Sequence, residues 1–226
     1  MRLGFLGGSF DPIHMGHVQA ALIAAAEAKL DRVYLLPTGH NWQKAATVAP
    51  IGKRREWVER VAQSDPRLGL LDTDLRAGPI YAIDTIKLLE KKFKRSSFCS
   101  RVPAVKGGAG ESSFEGGVGG RKQQFPRSEL FWIIGGDQLA NLPTWHKAPA
   151  LAKALSFFVL MRENYPFTQP QLPGTNLVFA HRQVVLTSST RLRKLIASHQ
   201  DVSGLLPPSI ADDVIAFYQA AETAKR

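Results

Sequence analysis

The chain has little cysteine and no long apolar run. Cys99 is the single cysteine among 226 residues, which excludes an intramolecular disulfide and a multi-cysteine metal cage. No stretch reaches the roughly 18–20 apolar residues that cross a membrane. The opening MRLGFLGGSF lacks the longer apolar region and small-residue cleavage site of a signal peptide. These absences predict a cytoplasmic protein that does not contact membranes.

Two common nucleotide-binding motifs are also missing. The P-loop pattern G-x-x-x-x-G-K-[ST] does not occur, and the first glycine turn does not read G-x-G-x-x-G. The second absence disfavours an oxidoreductase with a dinucleotide cofactor, because that fingerprint holds the cofactor pyrophosphate.

The positive charge is concentrated in one segment. The chain has a net charge of +10. Residues 91–127 contain nine Lys and Arg and two acidic residues, and positive and negative charges are nearly balanced in the rest of the chain. Residues 94–127 contain seven glycines and almost no periodicity. We expect a mobile surface insertion here. We favour the interpretation of residues 94–127 as a solvated loop over the alternative that they form a binding surface for nucleic acid or lipid headgroups.

Strand and helix patterns alternate along the remaining chain. A short apolar strand at residues 3–6 leads through a glycine turn into an alanine-rich helix that ends near Lys29. Further strands are predicted at 32–36, 68–71, 130–134, 156–161 and 177–186, and further helices at 52–63, 81–93, 190–198 and 209–221. This alternation predicts one α/β domain over residues 1–226, with a doubly wound, mostly parallel sheet and helices on both faces.

The first glycine turn carries a candidate phosphate site. Glycines that follow a first strand allow backbone N–H groups to approach a phosphate, and the next helix offers its positive N-terminal end. His14 and His17 are three residues apart at that helix start, so both can face one anion. Zinc binding is a poor alternative, since no third ligand accompanies the pair. The structural alternative is that both histidines only cap the helix and pack against it.

A second candidate anion site follows the strand-like residues 184–186. The segment Thr187-Ser188-Ser189-Thr190-Arg191-Leu192-Arg193 begins a helix with hydroxyl side chains, which cap it and leave N–H groups for an anion. Arg193 lies one turn into this helix, where its guanidinium could reach a polyphosphate. An ordinary serine-capped helix is the alternative.

Together the two segments resemble a known family. G-G-S-F-D-P-I-H-x-G-H from Gly7 and S-S-T-x-L-R from Ser188 resemble the signatures of the H-x-G-H nucleotidyltransferases that make NAD precursors. Four intermediate blocks resemble the bacterial nicotinate-mononucleotide adenylyltransferases: Leu36-Pro37 with Trp42-Gln43-Lys44, Tyr81 to Ile86, Ile133 to Gln138 with Pro143-Thr144-Trp145, and Val159 to Arg162. The chain departs from that pattern at Gln43, Ile80 and Ala82.

The resemblance implies transfer of AMP from ATP to nicotinate mononucleotide, with Mg²⁺ bound through ATP phosphates and water. Implied catalytic residues are His14, His17 and Arg193. Implied ATP and phosphate contacts are Gly7, Gly8, Ser9, Phe10, Gly135, Asp137, Ser188, Ser189 and Thr190. Implied mononucleotide contacts are Trp42, Lys44, Tyr81, Thr85, Trp145 and Arg162. The structural alternatives are that Asp137 caps the next helix and that Trp145 is a residue of the hydrophobic core.

Two other functions stay open at this point. One is a related transferase that acts on nicotinamide mononucleotide, on phosphopantetheine or with a cytidylyl donor. The other is a non-catalytic nucleotide-sensing or RNA-binding protein that uses the basic segment 94–127. The complete H-x-G-H and S-S-T-x-L-R segments favour catalysis over the second.

Overall fold

A computed structural model of the chain describes residues 1–39, 47–72, 81–95, 129–161, 172–183 and 187–224. The strands are β1 (Arg2–Gly8), β2 (Arg32–Pro37), β3 (Leu68–Leu70), β4 (Glu129–Gly135), β5 (Ser156–Leu160) and β6 (Asn176–Phe179). The helices are α1 (Met15–Glu27), α2 (Ile51–Gln63), α3 (Ala82–Arg95), α4 (Ala148–Ala154), α5 (Ser189–Ala197) and α6 (Ala211–Thr223), and two 3₁₀ turns span Gly136–Gln138 and Leu142–Thr144.

The six strands form one parallel sheet in the order β3-β2-β1-β4-β5-β6. From β1 the strands follow one another outward to β3, which lies at one edge of the sheet. The chain then crosses back, and β4 pairs with β1 on its other side, where Phe5 pairs with Trp132. The predicted doubly wound parallel sheet is therefore confirmed. In such a sheet, ligands bind beyond the carboxyl ends of the strands at the point of reversal, which here lies between β1 and β4.

Alternating side chains of the strands build two cores, one on each face of the sheet. In β4, Phe131 and Ile133 pack with α1, α2, α5 and α6, whereas Leu130, Trp132 and Ile134 pack with α3 and α4. Both faces are buried because successive side chains of a strand point to opposite sides. Helices therefore cover both faces, as the sequence predicted.

The element limits differ from the prediction at several places. Helix α3 runs to Arg95, two residues into the predicted insertion, and the rest of 94–127 lies outside the described residues. One strand, β6, is present where one or two were expected, and residues 184–186 also lie outside the described ranges. The 3₁₀ turns and α4 were not predicted, since such short elements show too little periodicity. Within the described ranges no helix is long and apolar enough to cross a membrane.

Helix α6 is fastened to α2 through Asp213. Its carboxylate accepts a hydrogen bond from Trp57 Nε1 at 2.9 Å and forms ion pairs with Lys53 at 2.9 Å and Arg60 at 3.2 Å. The hydrogen bond from Lys53, opposed by partial burial, is the main reason that the pKa of Asp213 lies below its ordinary value of 3.8. The pairing thus stabilises the folded state only while Asp213 is ionised.

We expect Asp213→Asn to remove part of the acid sensitivity of the fold. Because the pKa of Asp213 is lower in the folded state, its contribution to stability is present above pH 3.8 and is lost as pH falls through the folded pKa. The variant should melt at a lower temperature than wild type at neutral pH, and the difference should shrink below about pH 4. Thermal melts across the acid range test this. Asp212→Asn, an exposed neighbour in the same helical turn, is the control and should show a smaller difference.

Candidate active site

The glycine turn after β1 lies at the point where the strand order reverses. Phe10 has a left-handed backbone, with φ of 47°, and its ring is buried. A Cβ on Gly8 would stand 3.0 Å from that ring, closer than ordinary van der Waals contact, so a larger residue at this position would require the ring to move. Gly7 and Gly8 are the last two residues of β1, with Gly7 beside Trp132, and Ser9 follows Gly8 in the turn. The turn therefore presents mainly backbone atoms, and few side-chain atoms, beyond the edge of the sheet.

The two histidines of H-x-G-H lie together at the start of α1. His14 is the N-cap of the helix and is buried, whereas His17 is half-buried. Their rings stack with centroids 3.7 Å apart, and the Phe10 ring meets His17 edge-on at 5.0 Å. The backbone N–H of His14 donates to Nδ1 of His17 at 3.2 Å. Since Nδ1 accepts, Nε2 of a neutral His17 carries the proton and can donate to an anion.

The structure joins the two segments that the sequence singled out. Ser189 Oγ donates to the carbonyl of Pro12 at 3.0 Å, which fastens the start of α5 to the glycine turn. Arg193 donates through Nη1 to the carbonyl of Asp11 at 2.6 Å and lies 3.3 Å from its carboxylate. The helix start of α5 and the helix start of α1 therefore border the same region, although the segments are far apart in sequence.

In this second segment, the hydroxyl groups of Ser188, Ser189 and Thr190 already have partners within the protein. Ser188 Oγ caps α5 by accepting from the N–H of Arg191 at 3.2 Å, and Ser189 Oγ is held by Pro12. Thr190 is exposed and lies 3.5 Å from Nη2 of Arg193. In this arrangement, backbone N–H groups and the Arg193 guanidinium are the donors that α5 offers most directly to an anion.

Asp11 is a residue to which no sequence pattern assigned a role. It is buried, and its carboxylate accepts hydrogen bonds from the N–H groups of Val48 and Ala49, both at 2.9 Å, and from the Tyr218 hydroxyl at 2.6 Å. Together with the ion pair to Arg193, these contacts join the glycine turn, the entry to α2, α5 and α6. Asp11 stands inside the first motif, but its partners come from distant segments, so spacing alone could not reveal them.

Arg54 is a second residue that the sequence did not single out. It is 1% exposed, although it lies on α2 between exposed or half-buried charged residues. Its guanidinium donates to the carbonyls of Ser9, Thr38 (2.8 Å) and Ala49 (3.0 Å). Burial lowers the pKa of Arg54, and the nearby Asp11 carboxylate partly offsets that effect. Arg54 therefore supports the glycine turn from beneath and ties it to the end of β2.

Gly135 is the last residue of β4, at the other side of the reversal, and Asp137 follows the strand. A Cβ on Gly135 would collide with the Asp137 carboxylate, so the aspartate lies across a bare backbone position. Asp137 is half-buried and accepts from Gln138 Nε2 at 3.1 Å. It lies within the 3₁₀ turn Gly136–Gln138, whose N-cap is Gly135, so the alternative of Asp137 as the capping residue does not describe this turn.

The predicted mononucleotide residues are divided between surface and core. Tyr81 is half-buried and stacks on His146 with ring centroids 4.2 Å apart, a contact that no sequence pattern indicated. Trp145 is half-buried against Phe157, and its Nε1 is buried without a hydrogen-bond partner among the described residues. Thr85 is wholly buried, with its hydroxyl directed to the Tyr81 carbonyl at 3.5 Å. Trp42, Lys44 and Arg162 lie outside the described residues.

In the part of the chain that the structure describes, no three His, Cys, Asp or Glu side chains are grouped so as to hold a metal ion. The carboxylate nearest the glycine turn, Asp11, is already surrounded by donors. The residues present therefore do not form a protein-built metal centre.

Comparison with known proteins gives concordant results. The cytidylyltransferase-like family model matches residues 5–195. A Bordetella petrii protein described as a probable nicotinate-nucleotide adenylyltransferase is 31% identical over 219 residues, which cover 93% of this chain and 94% of the relative. An Opitutus terrae protein of the same description is 31% identical over 210 residues, covering 92% of this chain and 91% of the relative.

Among solved structures, the Plasmodium falciparum nicotinic acid mononucleotide adenylyltransferase complexed with NaAD superposes with a TM-score of 0.68. The match covers 98% of this chain and 97% of that chain at 14% identity, so it supports the fold. The extent of the family match and the identity to curated relatives carry the assignment. The chain belongs to the cytidylyltransferase-like family and, within it, to the nicotinate-nucleotide adenylyltransferases.

Proposed function

We propose that the protein transfers AMP from ATP to nicotinate mononucleotide, forming nicotinate adenine dinucleotide and pyrophosphate. The observation that supports this most is the joining of the two motif segments, through Ser189 to Pro12 and Arg193 to Asp11, at the reversal of the strand order. Relatives that align with nearly the whole chain carry the name of this activity. We further propose a single domain, with residues 94–127 as an insertion into it.

The reaction is a direct displacement at the α-phosphorus of ATP. The phosphate of the mononucleotide attacks, a bond from its oxygen to the α-phosphorus forms, and the bond to the leaving pyrophosphate breaks. A phosphate monoester is already largely ionised near neutral pH, since its second pKa is about 6. The protein therefore needs no strong general base and no covalent intermediate. Its task is to align two anions and to offset the charge of the transition state.

The described residues suit that task. Nε2 of His17, the backbone N–H groups of Gly8 to Phe10 and the N-terminal end of α1 would stabilise the α-phosphoryl group. His14 would fix the His17 ring through stacking and through its own N–H. Arg193 and the N–H groups at the start of α5, with Ser188 to Thr190, would hold the β- and γ-phosphates.

The rest of the substrates would lie along the edge beyond β4. Asp137 would accept from the ribose hydroxyls of ATP, beside the bare backbone of Gly135. Trp145 would stack on the nicotinate ring, with Tyr81 nearby. Thr85 would act from within the core by supporting Tyr81. Trp42, Lys44 and Arg162 complete the proposed mononucleotide contacts.

Mg²⁺ would bind to the protein as a complex with ATP. Because the described residues do not form a ligand set for a metal, we propose that ATP phosphates and water hold the ion. The chemistry that it supplies is neutralisation of phosphate charge, and the residues named above would bind the resulting complex.

The test is a parallel assay with purified protein, ATP and Mg²⁺, which offers nicotinate mononucleotide in one reaction and nicotinamide mononucleotide in the other. We expect pyrophosphate release and dinucleotide formation with strong preference for the acid. Preference for the amide would move the protein to the neighbouring substrate class. A folded sample that binds ATP but releases no pyrophosphate with either acceptor would refute the proposal and favour a nucleotide-binding protein.

A further inference from the structure

A residue outside both motifs reaches the site from the C-terminal helix. Tyr218 on α6 is 4% exposed and donates its hydroxyl hydrogen bond to Oδ1 of Asp11 at 2.6 Å across 207 positions of sequence. Its ring is packed against Trp57, with centroids 5.8 Å apart, and against Phe217 at 5.2 Å. This packing therefore fixes the Tyr218 side chain in the position from which its hydroxyl contacts Asp11.

The same carboxylate also holds Arg193. Oδ2 of Asp11 lies 3.3 Å from Nη1 of Arg193, and Oδ1 receives the Tyr218 hydroxyl and the N–H of Ala49. Burial, followed by the hydrogen bond to Asp11, raises the pKa of Tyr218, so the phenol stays protonated and continues to donate. Each neutral donor that shares the negative charge weakens the attraction left for the guanidinium.

Arg193 is not closely packed in this position. Its side chain is 27% exposed, and it borders a cavity of about 60 Å³. The cavity is lined by Val48, Arg193, Ala197, Tyr218, Ala221 and Glu222. The cavity leaves free volume beside the Arg193 side chain. Its guanidinium is restrained by the backbone carbonyl of Asp11 at 2.6 Å and by the carboxylate of Asp11 at 3.3 Å, and only the second contact carries a charge that Tyr218 shares.

We propose that Tyr218 is a positioning residue for adenylyl transfer: by donating to Asp11, it limits the hold of that carboxylate on Arg193 and keeps the guanidinium available to the phosphates of ATP. Tyr218 does not touch the substrates in this proposal and acts through Asp11 and Arg193. The inference rests on the proposed function and adds to it a residue that neither motif contains.

The variant that tests the inference is Tyr218→Phe, which removes one oxygen and keeps the ring. With the donor gone, Asp11 should hold Arg193 more tightly, and kcat/KM for ATP should fall by roughly tenfold, the usual loss for one hydrogen bond to a charged group. The KM for nicotinate mononucleotide should stay unchanged, because Arg193 is assigned to the other substrate. Initial rates with each substrate varied in turn measure both.

Two further variants separate positioning from simple loss of structure. Asp213→Asn loosens the N-terminal turn of α6 without removing a contact of Asp11, so it should lower the melting temperature and leave the kinetics as in wild type. In an Arg193→Ala background, Tyr218→Phe should cause no additional loss, because its effect passes through Arg193. An additive loss, an equal kinetic loss in Asp213→Asn, or wild-type kinetics in Tyr218→Phe would each overturn the inference. If wild type itself made no dinucleotide, the proposed function would fail first, and the inference with it.

Discussion

His17→Ala is expected to lower kcat for dinucleotide formation by about 10² to 10³, by analogy with the loss of one donor to a developing oxyanion. The variant removes Nε2, the ring nitrogen proposed to donate to the α-phosphoryl group while Nδ1 accepts from the N–H of His14. Binding of ATP should persist, because the glycine turn, the start of α5 and Arg193 are unchanged. Single-turnover measurement of pyrophosphate release, with ATP affinity determined separately, checks both statements.

The control for this variant is His181→Ala. His181 is an exposed histidine paired with Glu27, and its removal should leave kcat at the wild-type value. His17 also contributes to the start of α1, so His17→Ala should lower the free energy of unfolding by about 1 kcal/mol. A His17→Ala protein with near wild-type kcat would show that the two histidines only cap and pack the helix.

Arg54→Met is expected to cost about 3–5 kcal/mol in the free energy of unfolding. Methionine fills much of the volume but cannot donate, so the carbonyls of Ser9, Thr38 and Ala49 would each lose a buried hydrogen bond. The glycine turn would lose its support, and activity should fall even in protein that remains folded. Urea denaturation followed by circular dichroism measures the stability.

Arg55→Met is the matched control, since it changes the next residue of the same helix. Arg55 forms exposed ion pairs with Glu59 at 2.9 Å and Asp72 at 3.0 Å. Pairs of this kind contribute little to stability, because water and salt screen them. Equal destabilisation by the two variants would contradict the role given to Arg54.

The sequence predicted the fold class and most of the long elements because these depend on local patterns. The apolar runs of β4 and β5, the alanine-rich helix α1 and the charged helix α2 each have a period that a short window contains. The alternation of strands and helices then restricts the connections to a parallel, doubly wound sheet. Short elements such as α4 and the 3₁₀ turn at Leu142–Thr144 carry too few residues for such a pattern.

The candidate site was predicted in part. The glycine turn, H-x-G-H and the serine-rich start of α5 are contiguous segments, and their composition alone indicates anion binding. Their convergence could be expected from the sheet topology, but the contacts that join them could not. Helix capping by a hydroxyl was predicted, and Ser188 provides it, but no sequence pattern indicated that the Ser189 hydroxyl binds the Pro12 carbonyl or that Thr85 is buried.

What the sequence by itself determined, therefore, is the class of fold and the segments that we propose to meet phosphate, because both follow from neighbours along the chain. Only the tertiary structure decided that Asp11 is the common partner of Arg193, Tyr218 and the entry to α2, and that Arg54 is buried beneath the turn. The physical reason is that a buried charge is defined by the donors and acceptors around it. Those groups come from segments up to 207 positions apart, and only folding brings them within hydrogen-bond distance.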